Sequence, residues 1–176
     1  NHPDTFAALV EKVHGYGIMV FGLFMFGFDG DDPAVFDETA QFNIKADYDA
    51  CAYSVLTPYP GTLTWYEMKK DNRIVSFDWT MYDQGHVVYR PARMSGDELR
   101  LGVSRTYANF YSMPSIASRF PLGGKRHRAQ WAVYNLFMRR GSGREPRIAS
   151  AFAEAYHRIL DAGFRFPLRF VLLISL

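Results

Sequence analysis

Residues 18–26 read Ile-Met-Val-Phe-Gly-Leu-Phe-Met-Phe, an apolar run that only Gly22 interrupts. A strand with one wet face alternates apolar and polar residues, whereas a strand covered on both faces is apolar throughout. The run therefore predicts a strand in a parallel sheet. Residues 50–56 have the same character and predict a second covered strand, which ends at the proline-rich stretch 57–62.

Helical patterns separate these two strands and flank them. Residues 4–15 have apolar side chains at helical spacing, and another helix is expected from 62 to 70. Between the strands, Asp32 is a favourable N-cap and Pro33 a favourable first helical residue, so a helix is expected from 33 to 45. This alternation predicts an α/β fold in which the two strands are parallel neighbours.

After residue 74 the chain changes character and becomes mainly helical. A capping box at Ser95 and Glu98 predicts one helix, and others are expected at 114–120, 125–140 and 146–162. We expect four segments: strand–helix units (1–74), an aromatic connecting segment (75–94), a helical carboxy-terminal subdomain (95–166) and an apolar tail (167–176). The tail fits either a short strand or a docking segment.

Composition and charge exclude several classes of protein. With 48% hydrophobic and 16% aromatic residues, the chain has enough apolar surface to fold, which excludes a disordered chain. A formal net charge of +2 is too small to indicate nucleic acid or an anionic membrane surface as a partner. No apolar run approaches the roughly 20 residues of a membrane-spanning helix. The one cysteine, Cys51, excludes an internal disulfide and favours a reducing, cytoplasmic location.

Two segments follow the predicted strands, and ligands of parallel α/β sheets bind at the carboxyl ends of strands. In residues 27–32, glycines allow close backbone approach, and carboxylates can accept ribose hydroxyls or an ammonium group. In residues 57–62, two prolines stiffen a backbone that can read an adenine edge, while Tyr59 can stack on a ring. The alternatives are a capped turn for the first segment and a rigid strand-to-helix turn for the second.

We therefore single out a set of candidate cofactor-binding residues at these strand ends. They are Gly27, Phe28, Asp29, Asp32, Thr57, Pro58, Tyr59, Pro60 and Gly61. No residue is assigned a catalytic role. No metal site is predicted, because no two of the five histidines have metal-ligand spacing. His86 stands apart, since it lies in the aromatic segment that can close over a substrate.

The same strand ends carry a resemblance to a known family. The motifs are Gly15-Tyr16-Gly17-Ile18, Phe26-Gly27-Phe28-Asp29-Gly30-Asp31, Leu56-Thr57-Pro58-Tyr59-Pro60-Gly61-Thr62 and Asn72-Arg73-Ile74. Their continuation includes Asp78-Trp79, Tyr82-Asp83, His86-Val87-Val88, Pro91, Met94-Ser95, Glu98-Leu99 and Phe110-Tyr111-Ser112. In order and spacing, residues 4–120 resemble the late barrel strands of radical S-adenosylmethionine (SAM) enzymes of the cobalamin-binding type.

The resemblance implies a fold, a set of cofactors and a reaction. The fold is a partial (β/α) barrel between an amino-terminal cobalamin-binding domain and a carboxy-terminal extension. The cofactors are SAM and a [4Fe–4S] cluster that cleaves SAM to a 5′-deoxyadenosyl radical, with cobalamin left open as a third. The reaction is methylation or rearrangement of a hydrophobic or ring-containing small molecule, such as a lipid or a tetrapyrrole. Residues 27–32 would lie beside the ribose or methionine of SAM, and residues 57–62 near its adenine.

The sequence departs from this family at the cluster. The family binds the cluster through three thiolates of a CxxxCxxC motif, whereas Cys51 is alone and lies in a predicted buried strand. We therefore expect the chain to be the carboxy-terminal portion of such an enzyme, inactive by itself, with the missing amino-terminal part as its partner. The polar start at Asn1, which has no initiator Met, favours the same interpretation.

Two other functions remain open at this point. A radical SAM methylthiotransferase that modifies RNA also has a glycine-containing turn and a Pro-Gly-Thr strand end. The aromatic segment 77–89 favours the cobalamin type over it. A non-catalytic binding module would instead use the basic helices at 125–147.

A partial barrel that lacks its early strands predicts an unpaired sheet edge and, around residues 18–26, apolar side chains that lack their cover. The side chains expected to face the missing wall are Ile18, Val20, Phe21, Phe24 and Phe26. We therefore expect a contiguous exposed hydrophobic surface there and self-association of the isolated chain.

Overall fold

The computed structural model describes residues 3–122, 128–141 and 170–175. In chain order the elements are α1 (Pro3–Gly15), β1 (Met19–Phe26), α2 (Val35–Lys45), β2 (Ala50–Val55), α3 (Leu63–Lys70), a 3-10 turn (Trp79–Met81), α4 (Gly96–Phe110), α5 (Met113–Ser118), α6 (Arg128–Gly141) and β3 (Phe170–Ser175). The α/β fold predicted from the sequence is confirmed. The helix predicted at 146–162 and the two ends of the basic stretch 125–147 lie outside the described residues. Among the described helices, none is long and apolar enough to cross a bilayer.

The described strands form one parallel sheet in the order β2-β1-β3. β1 pairs with β2 from Phe21 opposite Ala50 to Phe26 opposite Val55. β3 pairs in parallel with the other edge of β1. The strands predicted from the two apolar runs are therefore parallel neighbours, and the apolar tail contributes a third strand.

β1 is the central strand of the described sheet, because it has hydrogen-bonded partners on both sides. Four of the side chains expected to face a missing wall, Val20, Phe21, Phe24 and Phe26, are at most 9% exposed, and Ile18 is half-buried. Rings from the helices cover them: Phe36 of α2 packs on Phe26, and Tyr134 of α6 packs on Phe21. The predicted exposed hydrophobic surface around residues 18–26 is therefore not found.

The outer edge of β2 is closed by tyrosine hydroxyls from the end of α4. The Tyr111 hydroxyl accepts a hydrogen bond from the Cys51 N–H (3.0 Å) and donates one to the Cys51 carbonyl (2.8 Å). The Tyr107 hydroxyl accepts from the Tyr53 N–H (2.9 Å), and a loop carbonyl accepts from the Val55 N–H (2.8 Å). Unpaired edge groups invite pairing with another strand, but these groups already have partners. The described sheet therefore ends at β2.

The helix boundaries lie within two residues of the prediction, apart from the start of the helix predicted at 125–140, where residues 123–127 lie outside the described range. The capping box at Ser95 is present, and the Thr62 hydroxyl caps α3 by accepting from the Trp65 N–H (3.3 Å). The helix predicted from residue 33 begins instead at Val35. Asp32 holds a turn ahead of it, because its carboxylate accepts from the Ala34 N–H (2.9 Å). The N-cap predicted at Asp32 is therefore displaced from the helix by two residues of turn.

Buried polar groups close the amino end of the sheet. The Arg119 guanidinium, which is buried, donates to the carbonyls of Tyr48 (2.8 Å) and Phe110 (2.9 Å). At the same end, the Asp49 carboxylate accepts from the Val20 N–H (2.7 Å) and lies 2.8 Å from a ring nitrogen of His14. These contacts tie α1, α4 and α5 to the strand starts. The carboxyl end of the sheet is the end whose loops remain exposed.

Candidate functional site

The two predicted ligand-binding segments lie together at the carboxyl end of the sheet. Residues 27–32 follow β1 and residues 57–62 closely follow β2, and these two strands are parallel neighbours. The Leu56 N–H donates to the Phe26 carbonyl (2.8 Å), so the pairing continues up to the point where both loops begin. The predicted placement of the two segments at the same end of the sheet is confirmed.

The first loop is held through the backbone of Gly27. Its N–H donates to the Asp31 carboxylate (2.8 Å), which also accepts from the Phe28 N–H (3.0 Å). Its carbonyl accepts from the Tyr89 hydroxyl (2.5 Å). Gly27 has φ +103°, and a Cβ placed there would lie 2.1 Å from the Tyr89 hydroxyl oxygen. The absent side chain therefore makes room for Tyr89, which fixes the shape of the loop.

The carboxylates of this loop already have partners within the protein. Asp29 forms a bidentate ion pair with Arg73, with N–O distances of 2.9 and 2.6 Å. The Arg73 guanidinium holds the pKa of Asp29 below its usual value. The Asp29 side chain is nevertheless 62% exposed, and Asp32 is exposed as well. These two carboxylates can accept a further hydrogen bond from a ligand, whereas Asp31 serves the backbone of the loop.

The second loop presents an aromatic ring on a stiff backbone. Thr57 is buried, and its hydroxyl donates to the Val55 carbonyl (3.2 Å). Tyr59 is 41% exposed, and its hydroxyl accepts from the Gln84 side-chain amide (3.4 Å). Gly61, with φ +90°, borders open space. Tyr59 and, in the first loop, Phe28 are the exposed rings of the two loops, and each is of a kind that can stack on an adenine-like ring.

Two residues that hold the site were not singled out from the sequence. Arg73 pairs with Asp29 across 44 positions, and Tyr89 reaches Gly27 across 62. Arg73 is part of a resemblance motif, but no local spacing connects it to an acid so far away. Burial raises the pKa of Tyr89, so its hydroxyl stays protonated and can donate.

His86, in the aromatic segment, has its hydrogen-bond contacts within that segment. Its ring nitrogen is 2.9 Å from the Asp83 carboxylate, and its side chain is half-exposed. The structure thus gives His86 a carboxylate partner within its own segment. It does not bring His86 into hydrogen-bond contact with the candidate residues of either loop.

The described residues do not fit an iron–sulfur cluster. They contain no group of three or more Cys, His, Asp or Glu residues that could hold a metal ion. Cys51 is fully buried within β2, and burial raises the pKa of its thiol, so the thiolate needed for ligation is disfavoured. The interpretation of Cys51 as a core residue is confirmed.

No protein-family model matches this chain, and no solved structure is significantly similar to it. Curated proteins do match. The chain is 32% identical over 140 residues to Bacteriochlorophyllide d C-12(1)-methyltransferase of Chlorobaculum tepidum, covering 80% of this chain and 30% of that protein. It is 26% identical over 119 residues to Bacteriochlorophyllide d C-8(2)-methyltransferase of the same organism, covering 68% of this chain and 26% of that protein. It is 26% identical over 123 residues to Anaerobic magnesium-protoporphyrin IX monomethyl ester cyclase of Cereibacter sphaeroides, covering 69% of this chain and 20% of that protein.

The chain thus spans less than a third of the length of these relatives. The names of two relatives state methylation, and all three names state a tetrapyrrole-type substrate. These similarities support the relationship to radical SAM enzymes that the sequence motifs indicate. They do not distinguish the cobalamin-binding type from others.

Proposed function

We propose that this chain is the carboxy-terminal portion of a radical SAM enzyme that methylates or rearranges a tetrapyrrole, and that the carboxyl end of its sheet contributes to SAM binding. The observation that carries the proposal is the meeting of two loops, 27–32 and 57–62, at the ends of neighbouring parallel strands. The similarity to bacteriochlorophyllide methyltransferases supports both the SAM dependence and the substrate class.

Each loop has a separate role in this proposal. The rings of Tyr59 and Phe28 contact adenine, and the backbone from Thr57 to Gly61 forms hydrogen bonds with the polar edge of adenine. The exposed carboxylates of Asp29 and Asp32 accept hydrogen bonds from the ribose hydroxyls or the methionine ammonium group. SAM bound there supplies the methyl group or, after reductive cleavage, the radical that the reaction requires. Gly27 and its contacts hold the first loop in the shape that presents these groups.

The cluster belongs to another part of the parent enzyme in this proposal. The single buried cysteine cannot replace three thiolates, so the cluster ligands come from the amino-terminal part that acts as the partner of this chain. Cobalamin, where the parent uses it, is likewise held outside the described residues. The isolated chain is therefore a ligand-binding portion without the complete reaction centre.

Calorimetric titration of the full chain with S-adenosylhomocysteine tests the proposal, because this analogue binds without requiring the cluster chemistry. Tyr59→Ala is expected to weaken binding about tenfold, in line with ring-stacking contributions of about 1–3 kcal/mol. The matched control is Tyr16→Ala, which removes an exposed tyrosine from the opposite, amino end of β1. Absence of binding at millimolar analogue, or equal losses in the two variants, would overturn the proposal.

A further inference from the structure

Large apolar side chains are exposed together on α3 and on the segment that follows it. They are Leu63, Tyr66, Val75, Phe77 and Trp79, each between 53% and 72% exposed. Apolar residues scattered singly on a surface are ordinary, but several of them on adjoining segments mark a binding surface. We call these five residues the aromatic face.

Each of the two segments of this face carries a pair of contacting rings. The rings of Tyr66 and Trp65 meet edge-on at 5.3 Å, and those of Trp79 and Tyr82 lie 5.0 Å apart. Tyr66 and Trp79 are thus the exposed members of two ring pairs, one on α3 and one on the segment that follows it.

The aromatic face adjoins the loops proposed to bind SAM. The Thr62 hydroxyl, which caps α3 directly before Leu63, donates to the Tyr59 carbonyl (2.7 Å). Gln84, two residues after Tyr82, donates to the Tyr59 hydroxyl (3.4 Å). The start of α3 and the chain shortly after the 3-10 turn therefore both contact Tyr59, so the second proposed SAM loop adjoins the two segments that carry the face.

Cations border the aromatic face at the last turn of α3. The Lys69 ammonium lies 4.5 Å above the Trp65 ring, and Lys70 follows Tyr66 by four positions, on the same side of the helix. Glu67 falls on the side of α3 away from Trp65. The Asp78 carboxylate, beside Trp79, is engaged by the Thr80 N–H (3.0 Å) and hydroxyl (2.7 Å). The face is therefore apolar, with ammonium groups at one border.

We propose that the aromatic face binds the macrocycle of a tetrapyrrole, with the carboxylate side chains of that ring on Lys69 and Lys70. A flat ring system stacks on Tyr66 and Trp79, and its carboxylates complement the two ammonium groups. This inference rests on the proposed function, since it assigns the substrate of that reaction to a surface beside the proposed SAM loops. It gives the aromatic segment a direct role in holding the substrate.

Titration of the full chain with zinc protoporphyrin IX tests the inference, followed by tryptophan emission and by the absorbance of the porphyrin. The chain has three tryptophans, and Trp131 is 1% exposed and lies in the core. The porphyrin absorbance is the readout that does not depend on which tryptophan is quenched. Tyr66→Ala and Trp79→Ala are each expected to weaken binding about threefold to tenfold. Lys70→Gln is expected to weaken it most at low ionic strength. Val133→Ala, which removes an exposed side chain from α6, is the matched control and is expected to change nothing.

The same variants, titrated with S-adenosylhomocysteine, separate this inference from the proposed function. Unchanged analogue binding with lost porphyrin binding supports the face as a distinct substrate surface. Two outcomes overturn the inference while leaving the SAM proposal standing. The unsubstituted chain does not bind the porphyrin, or the variants Tyr66→Ala, Trp79→Ala and Val133→Ala bind it equally well. Porphyrin binding with the expected losses, but no analogue binding, overturns the proposed function and retains the aromatic face as a binding site.

Discussion

At the scale of single residues, the proposed SAM site is held by contacts that use up most of its own polar groups. The Gly27 carbonyl receives the Tyr89 hydroxyl, its N–H goes to Asp31, and Asp29 is paired with Arg73. A loop fixed in this way is preorganised, so ligand binding does not have to supply the free energy of ordering it. The groups left for a ligand are the outer faces of exposed rings and carboxylates.

Gly27→Ala is expected to lower the free energy of unfolding by about 2–4 kcal/mol, because the added Cβ meets Tyr89 and the backbone has a positive φ. Urea denaturation measures the loss. Gly30→Ala is the control, since a Cβ at Gly30 meets nothing within 4 Å, and a change within about 0.5 kcal/mol is expected. Similar losses in the two variants would contradict the close approach of Tyr89 to Gly27.

At the scale of secondary-structure elements, α4 does more than cover the sheet. Its buried side chains include Leu99, Val103 and Phe110, which belong to the same core as β1 and β2. Tyr107 and Tyr111 also reach past this apolar layer to the backbone of β2. One helix thus supplies both the apolar layer over the sheet and the polar partners of its last strand. That dual role explains why β2 can be an edge strand and still be buried.

Tyr111→Phe is expected to destabilise the chain by about 2–4 kcal/mol, because it leaves both the N–H and the carbonyl of Cys51 buried without a partner. Tyr107→Phe, which affects the Tyr53 N–H alone, is expected to cost less, about 1–3 kcal/mol.

Urea denaturation measures both losses, and hydrogen exchange at the Cys51 and Tyr53 amides identifies the bonds that were removed. Tyr16→Phe, on an exposed ring, is the control and is expected to be neutral within about 0.5 kcal/mol. Unchanged amide protection in Tyr111→Phe would show that the hydroxyl does not close the edge of β2.

At the scale of the whole molecule, the two ends of the sheet have different roles. The amino end is filled by Arg119 and by the contact between Asp49 and His14, all of them buried or partly buried. The carboxyl end carries the two loops and the aromatic face, with exposed rings and carboxylates. In the proposed function, ligand contact is therefore confined to the carboxyl end of the sheet, as in other parallel α/β proteins.

Anaerobic reconstitution of the isolated chain with iron and sulfide is expected to give no stoichiometric cluster and no absorbance near roughly 400 nm, because one buried thiol cannot replace three thiolates. Chemical analysis of iron and sulfide measures the outcome. Cys51→Ala should give the same background as the unsubstituted chain. If the unsubstituted chain bound stoichiometric iron and sulfide and Cys51→Ala did not, both the burial of this thiol and the assignment of the cluster to another part of the enzyme would be contradicted.

The sequence by itself determined the class of fold and the place of the candidate site. Apolar runs without alternation identified β1 and β2 as covered parallel strands, and the order of elements put the loops at 27–32 and 57–62 at one end. These features are local, because strand periodicity and helix caps depend on residues within a few positions of each other. The presence of a single cysteine likewise indicated that this chain does not supply the three thiolates of a cluster.

The tertiary structure alone decided how these parts are held together. The pairing of Asp29 with Arg73, the approach of Tyr89 to Gly27 and the closure of β2 by Tyr111 span between 44 and 62 positions. β1, whose apolar side chains the sequence predicted to be exposed, is paired with a strand from the far end of the chain. Side-chain hydrogen bonds and strand partners over such distances leave no periodic signal, because they depend on where the packed core brings separate segments into contact.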